Sequence, residues 1–324
     1  MKVNFEKFDS LFSVINYFNT EDKCREALAQ VRWSDGDVVC PYCGEHHCRQ
    51  RKDKRYYCPK CNCNFSVKVG TIFENTKISL RKWFVAMYLI STHKAGISSC
   101  QLAKDIATTQ KTAWFMLCRI RENLRDDDAT FDSDTQVDET YVGGRTTWKK
   151  GGMGRSTKQK TPVFGMLSGG KVFTKVVPNT KKRTLQDIID ANIPKGVRII
   201  SDCWKGYNDV QKNYLHETVA HHLEEYVNNR GFHTNSIEGF WSLLKRGIIG
   251  IYHLVTAKHL PKYCKEFVYR YNTRKLTDGE RFLDFLRTPT YHYLYEDIIM
   301  SPNAVDLQMR LAYEGQNLRV HRIN

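Results

Sequence analysis

Two sets of residues in this 324-residue chain have the types and spacing of ligands. The first is a set of thiols. Cys40-Pro41-Tyr42-Cys43 is followed, after fourteen intervening residues, by Cys58-Pro59-Lys60-Cys61. Each pair places two sulfurs at the tip of a tight turn, and two such knuckles complete a tetrahedral four-sulfur site for one structural Zn²⁺. A lone C-x-x-C would also suit redox chemistry, but two copies at this spacing are better explained by metal. His46, His47, Cys48 and Cys63 lie near enough in the chain to act as substitutes. The second set is carboxylate. Asp138 ends Thr135-Gln136-Val137-Asp138, Asp202 ends Val197-Arg198-Ile199-Ile200-Ser201-Asp202, and Glu238 follows thirty-six positions later. Two strand-borne aspartates and one helix-borne glutamate could converge on divalent metal. Two Mg²⁺ (or Mn²⁺) ions about 4 Å apart are what phosphoryl transfer uses, and hard carboxylate oxygens suit them. Asp138 would bridge the two ions, with Asp202 and Glu238 each completing one. Singly, strand-end Asp and helix Glu are common surface residues.

Glu238 sits in His233-Thr234-Asn235-Ser236-Ile237-Glu238-Gly239-Phe240-Trp241-Ser242-Leu243-Leu244-Lys245, whose apolar residues recur at helical spacing after a cap at Thr234 or Asn235. Asn235 lies three positions before Glu238 on the same face, so it could complete the metal shell, orient Glu238 or simply cap the helix. Lys245 lies two turns beyond Glu238. The strand at 134–142 alternates faces, so Asp138 and Glu139 point to opposite sides of a sheet. Residues 163–167 and 172–177 flank Ser168-Gly169-Gly170-Lys171 as a hairpin, and Thr184 is expected to cap a helix leading toward the Asp202 strand. A last long helix is expected over 260–273.

Upstream, Phe8, Leu11, Phe12 and Ile15 make one apolar helical stripe, and Asn19-Thr20-Glu21-Asp22 opens a second helix in which Cys24 reads as buried filler. Arg55-Tyr56-Tyr57 and Asn64-Phe65-Ser66-Val67 read as paired ribbon strands between and after the knuckles. Residues 79–125 read as three helices, the first capped by Ser79. The pair Gln101–Ile106 and Lys111–Arg121, joined by Thr108-Thr109-Gln110, has the form of a helix-turn-helix whose second helix would face DNA. The segment 145–160 is rich in Lys, Arg and Gly, a composition suited to a phosphate backbone.

The formal net charge of +15 favours a polyanionic partner. No run of eighteen apolar residues is present, which excludes a membrane-spanning helix by pattern. The odd count of eleven cysteines and the absence of an export pattern point to a reducing, cytoplasmic setting and away from a disulfide framework.

The acid-bearing segments Asp138-Glu139-Thr140-Tyr141-Val142-Gly143-Gly144 and Ser201-Asp202-Cys203-Trp204-Lys205-Gly206-Tyr207, the stretch His233–Arg246, and the later Gly250-Ile251-Tyr252-His253 and Phe267–Arg274 together resemble bacterial insertion-sequence transposases of the DDE class, in the subgroup with an N-terminal zinc ribbon. The resemblance spans residues 10 to 290. It implies a multidomain chain: an N-terminal helical segment (1–36), a zinc ribbon (37–76), a helix-turn-helix-like all-α DNA-binding domain (77–128), an α/β ribonuclease-H-like catalytic domain (129–290) and a C-terminal extension (291–324). It implies Asp138 and Asp202 as the first two catalytic acids. The third position varies among related groups, and Glu238 has the charge and spacing for it. Lys245 would contact DNA phosphate beside the acids. The implied partners are double-stranded DNA, as terminal inverted repeats and as target, and further copies of the chain in a dimer or higher oligomer on DNA; a nucleoid-associated location follows. Competing readings are a ribonuclease-H-like nuclease that cuts without joining strands, and a zinc-ribbon DNA-binding regulator.

Overall fold

Short polar side chains start the N-terminal helices. Ser10, Thr20, Ser79, Ser98 and Thr109 each accept a backbone N–H three residues on, satisfying one otherwise orphaned donor per helix. They open α1 (Leu11–Tyr17), α2 (Glu21–Arg32), α3 (Leu80–Thr92), α4 (Ser99–Asp105) and α5 (Gln110–Glu122). These come from a computed structural model that describes residues 3–124, 130–143, 160–220 and 227–287. Between α2 and α3 run three two-residue strands, β1 (Arg49–Gln50), β2 (Tyr56–Tyr57) and β3 (Asn64–Phe65), antiparallel in that order with Tyr56 opposite Phe65.

Contacts divide the described residues into two units, one running to 124 and resuming at 276, the other lying between 130 and 275. The second unit is built on a five-stranded sheet: β4 (Thr135–Val142), β5 (Thr161–Ser168), β6 (Lys171–Val176), β7 (Arg198–Asp202) and β8 (Leu215–Val219). Their order is β6-β5-β4-β7-β8; β4, β5 and β6 are antiparallel, and β7 and β8 run parallel to β4. Gly169 and Gly170, both at positive φ, make the two-residue turn between β5 and β6. α6 (Lys182–Asn192) covers one face, where Leu185, Ile188 and Ile189 pack with Val137, Phe164, Met166 and Ile199. α7 (Asn235–Gly247) and α8 (Leu260–Asn272) cover the other, where Ile237, Phe240, Trp241, Leu244 and Phe267 meet Val163, Leu167 and Val172. The switch of partners between adjacent residues of β5 is the period-2 alternation of a sheet buried on both sides.

α9 (Asp278–Arg287) packs with the first unit, where Phe282 joins an aromatic cluster with Phe5, Phe8, Phe18 and Phe84. A Cβ at Gly279 would come within 2.2 Å of the Phe5 carbonyl oxygen, so this approach requires glycine. A domain ending at 290 would have placed α9 with the sheet. Three local expectations also change. In α1 the buried side chain is Val14, flanked by buried Phe8 and Phe18, while Phe12 is 73% exposed and Ile15 also faces outward. Thr184 is not a cap: α6 starts after Lys181, and the Thr184 hydroxyl donates to Asn179 Oδ1. β8 was not anticipated because Leu215-His216-Glu217-Thr218-Val219 lacks an apolar run, as an edge strand can. Among the described residues no helix is long and apolar enough to cross a membrane.

Candidate functional site

The parallel pairing of β4 with β7 brings the two aspartates together. Gln136 lies opposite Ile200, and two positions further along both strands Asp138 stands level with Asp202. Neighbouring strands are about 4.8 Å apart, so the carboxyls share one end of the sheet. Asp138 is largely buried, and its pKa is pushed up to about 8, first by burial and then by the negative charges of Glu139, Asp202 and Glu238. Glu238 therefore faces the same cluster from α7. Among the described residues neither aspartate has a lysine, arginine or histidine ion-pair partner. The carboxylates stand further apart than the thiols, since the four cysteines are the only described group of three or more His, Cys, Asp or Glu with donor atoms all within 4.8 Å.

Three contacts place α7 over β4, each joining residues about a hundred positions apart. The Gln136 side chain accepts the N–H of Ile237 at 3.1 Å, one of the free donors in the first turn of α7. Gln136 Nε2 also lies 3.4 Å from His233 Nδ1. Trp241 Nε1 donates to Asp138 Oδ2 at 2.9 Å, fixing the rotamer of that carboxyl. Thr234, at the head of α7, donates its hydroxyl to Glu238 Oε1 at 2.8 Å instead of capping the helix. Asn235 is exposed, and Lys245 is exposed two turns along from Glu238.

Behind the aspartates lies a pair, half-buried Glu139 and buried Tyr207, that the residue pattern does not reveal. Glu139 projects to the opposite face from Asp138 and accepts the Tyr207 hydroxyl at 2.6 Å. Tyr207 is 1% exposed, consistent with packing rather than base stacking. Burial raises the Glu139 pKa to about 7; the Tyr207 hydrogen bond works the other way, and Asp202 adds to the rise. The bond joins the strand carrying Asp138 to the loop after Asp202. In that loop the Trp204 N–H donates to Asp202 Oδ1 at 2.9 Å, while the Trp204 ring is largely exposed. The signal for Glu139 was its adjacency to Asp138; nothing local identified Tyr207 as its partner.

Gly165 lies directly opposite Asp138 across the β4–β5 pair. A Cβ there would come within 2.6 Å of the Trp241 ring. Gly165→Ala is therefore expected to push Trp241 off the sheet and break its bond to Asp138. The cost should be about 1–3 kcal/mol in denaturant unfolding, with a changed tryptophan emission. Equal stability of Gly165→Ala and the parent would refute the contact.

In the first unit, the thiols of Cys40, Cys43, Cys58 and Cys61 gather at the knuckle tips. Cys43 and Cys58 are 3.5 Å apart and Cys40 and Cys61 3.7 Å. Burial opposes ionisation of Cys58, yet the backbone N–H groups of Cys61 and Lys60 and the thiols of Cys43 and Cys61 bring its pKa down to about 6. This donor set suits zinc. His46 is turned away, paired with Asp37. Cys48 is buried nearby, its pKa pushed up to about 12 by burial and by Cys58. The helical pair α4–α5 forms as expected, but α5 exposes only its start. Gln110 and Lys111 are exposed, whereas Arg119 and Arg121 are buried. Gln110 Nε2 donates to Ser99 Oγ across the pair. The basic segment 145–159 and the tail 291–324 lie outside the described residues.

Residues 133–272 match the ISXO2-like transposase domain, and residues 19–64 match the transposase zinc-ribbon domain. An uncharacterized protein in transposable element ISH50 of Halobacterium salinarum is 26% identical, over 85% of this chain and 98% of that protein. An uncharacterized transposase-like protein of Haemophilus influenzae is also 26% identical, over 33% of this chain and 85% of its own length. A crystal structure of a pre-cleavage Mos1 transpososome is 11% identical over 91% of this chain and all of that one, with a TM-score of 0.24. The two domain matches lie in tandem, one on the thiol cluster and one on the acid-bearing sheet, and in both parts the chain is similar to insertion-sequence transposases.

Proposed function

We propose that this chain binds the terminal inverted repeats of its element, cleaves DNA there and joins the 3′ ends to target DNA by metal-dependent phosphoryl transfer. The observation that carries the reading is the meeting of Asp138 and Asp202 at one sheet end, with Glu238 close enough to act on the Asp138 charge. The strand order β6-β5-β4-β7-β8, with three antiparallel strands followed by two parallel ones, supports a ribonuclease-H-like catalytic domain. Asp138, Asp202 and Glu238 would hold the cations: they are hard oxygen donors, and the Asp138 pKa is lifted first by burial and then by the neighbouring acids, whose charge a cation would offset. When bound, a pair of Mg²⁺ ions supplies the charge that promotes deprotonation of water or a 3′-hydroxyl and offsets charge developing on phosphate. The protein's own part is positional. Trp241 sets the Asp138 carboxyl, Thr234 sets Glu238, and the Glu139–Tyr207 bond holds the Asp202 loop to β4. Lys245 would hold DNA phosphate along the same face of α7. The exposed start of α5 would read end sequence, and several copies would assemble on DNA.

The test uses duplexes cut from the DNA flanking the gene, intact for cleavage and pre-cut for joining, with Mg²⁺ and with chelator. Wild-type protein should cut the first and join the second only with metal. Glu238→Gln should lose both activities, whereas Asn235→Ala should retain measurable activity, as an exposed residue outside the shell would. Cutting without joining would instead favour a nuclease. Full activity in Glu238→Gln beside an inactive Asn235→Ala would transfer the third role to Asn235.

A further inference from the structure

The far end of α7 ends in an irregular, apolar projection. After Gly247 the helix widens into a π-helical turn, Ile248–Tyr252. His253 then adopts φ 60° and ψ −56°, a conformation costly for a residue with a side chain, and its Nδ1 lies 3.1 Å from the Ile249 carbonyl oxygen. Ile249 is 69% exposed and Leu254 61%. Both flank this strained residue, while Ile248 beside them is buried among Phe240, Leu244 and Leu260. The segment thus anchors one aliphatic side chain in the core and presents two others to solvent.

The direction of that projection follows from helical geometry. Eleven residues separate Glu238 from Ile249, about three turns at 3.6 residues each, so the two lie on roughly one face and about 16 Å apart along the axis. Ser242 and Lys245 lie between them on the same face and are exposed, with Arg246 beside them. A polyanion lying on this face would pass from the acidic cluster, over Lys245 and Arg246, to Ile249. Exposed aliphatic side chains bordered by cations suit a duplex whose bases can be parted: the cations hold phosphate, and the apolar tip fills the gap between base steps. A π-turn and a residue held at positive φ are features that concentrate at functional positions.

We propose that Ile249 and Leu254 form a wedge that enters DNA about 16 Å from the acidic cluster and unstacks a base step there. The inference rests on the reading of the cluster as a DNA-cleaving site. The probe is a 40-base-pair duplex taken from the DNA flanking the gene, carrying single 2-aminopurines at successive adenines around the cleavage site. Wild-type protein in Ca²⁺ should raise the fluorescence at one position at least threefold, with no such rise elsewhere. Ile249→Ser with Leu254→Ser should abolish that rise, leave duplex binding by anisotropy within threefold, and slow cleavage at least tenfold in Mg²⁺. A duplex with a mismatch at the responsive position should restore cleavage by the double variant to within threefold of wild type, and Ile249→Phe should keep both the signal and cleavage.

If wild-type protein does not cleave in Mg²⁺, the reading of the acidic site fails. If it cleaves but no 2-aminopurine responds, or the double variant behaves as wild type, the wedge alone fails. A double variant that changes sedimentation from dimer to monomer with the fluorescence rise intact would assign the tip to a contact between copies and overturn the proposal. Circular dichroism of the double variant matching wild type separates these results from misfolding.

Discussion

Asp138→Asn is expected to abolish DNA cleavage, by at least about a thousandfold, and at the same time to make the metal-free sheet unit more stable. Both effects follow from one property of the site. The carboxyl of Asp138 is ordinarily half-ionised at 3.8 but is lifted to about 8 by burial and by the acids around it. Its folded pKa lies above its unfolded one, so its contribution to stability is fully present below about pH 4 and is lost as pH rises through about 8. Metal-free wild-type protein should therefore lose stability between these limits. An amide at this position carries no charge and can still accept the Trp241 N–H, so the variant should escape most of that loss. It would also be a much weaker ligand for Mg²⁺.

The measurement is thermal melting at pH 5 and pH 8, with chelator and with Mg²⁺. In chelator at pH 8 the variant should melt on the order of 5 °C above wild type, and the gap should narrow at pH 5. Mg²⁺ should raise the melting temperature of wild type and leave the variant nearly unmoved. A variant that is less stable than wild type at pH 8 without metal, or that gains as much from Mg²⁺, would show that Asp138 is not a strained acid awaiting a cation.

The second large effect is expected in the ribbon. Cys43→Ser should reduce bound zinc from one equivalent to below a tenth and unfold residues 37–76, while the sheet unit keeps its melting transition. The reason is the small amount of structure that surrounds the thiols. The three strands are two residues long each, and around the thiols the packing is Trp33, Tyr56 and Phe65, edge to face and stacked, with Phe73 further along held against α3. Such a core cannot offset the chain entropy of about forty residues by itself, whereas a structural zinc contributes about 10–16 kcal/mol of apparent binding free energy in small zinc domains. Elemental analysis and limited proteolysis read the two consequences separately. Zinc-free protein whose ribbon still resists protease would remove the metal from the account.

What the residue pattern settled is local. Knuckle spacing identified the four thiols because two turns need only a few residues each to aim their sulfurs. The cap at Ser79, the helix opening at Asn19-Thr20-Glu21-Asp22, the Gly169-Gly170 turn and the acid-bearing strands are legible for the same reason: each depends on neighbours within four residues. The apolar stripe of Phe8, Leu11, Phe12 and Ile15 does not match the buried face, because periodicity identifies a stripe but cannot say which part of a two-turn helix meets a partner. β8 escaped because an edge strand need not carry an apolar run.

The arrangement of the acids was decided by tertiary structure. Gln136 reaches Ile237, Trp241 reaches Asp138 and Tyr207 reaches Glu139 across 68 to 103 positions of chain. Gly165 matters because it faces Asp138 across a strand pair and leaves room for a tryptophan from a distant helix. α9 returns to the first unit because Gly279 and Phe282 fit against Phe5, although nothing adjacent in sequence distinguishes them from a continuation of the sheet unit. Register and docking are set by complementarity between surfaces that exist only after both partners have folded, so local patterns can name the charged residues but cannot tell which buried groups hold them in place.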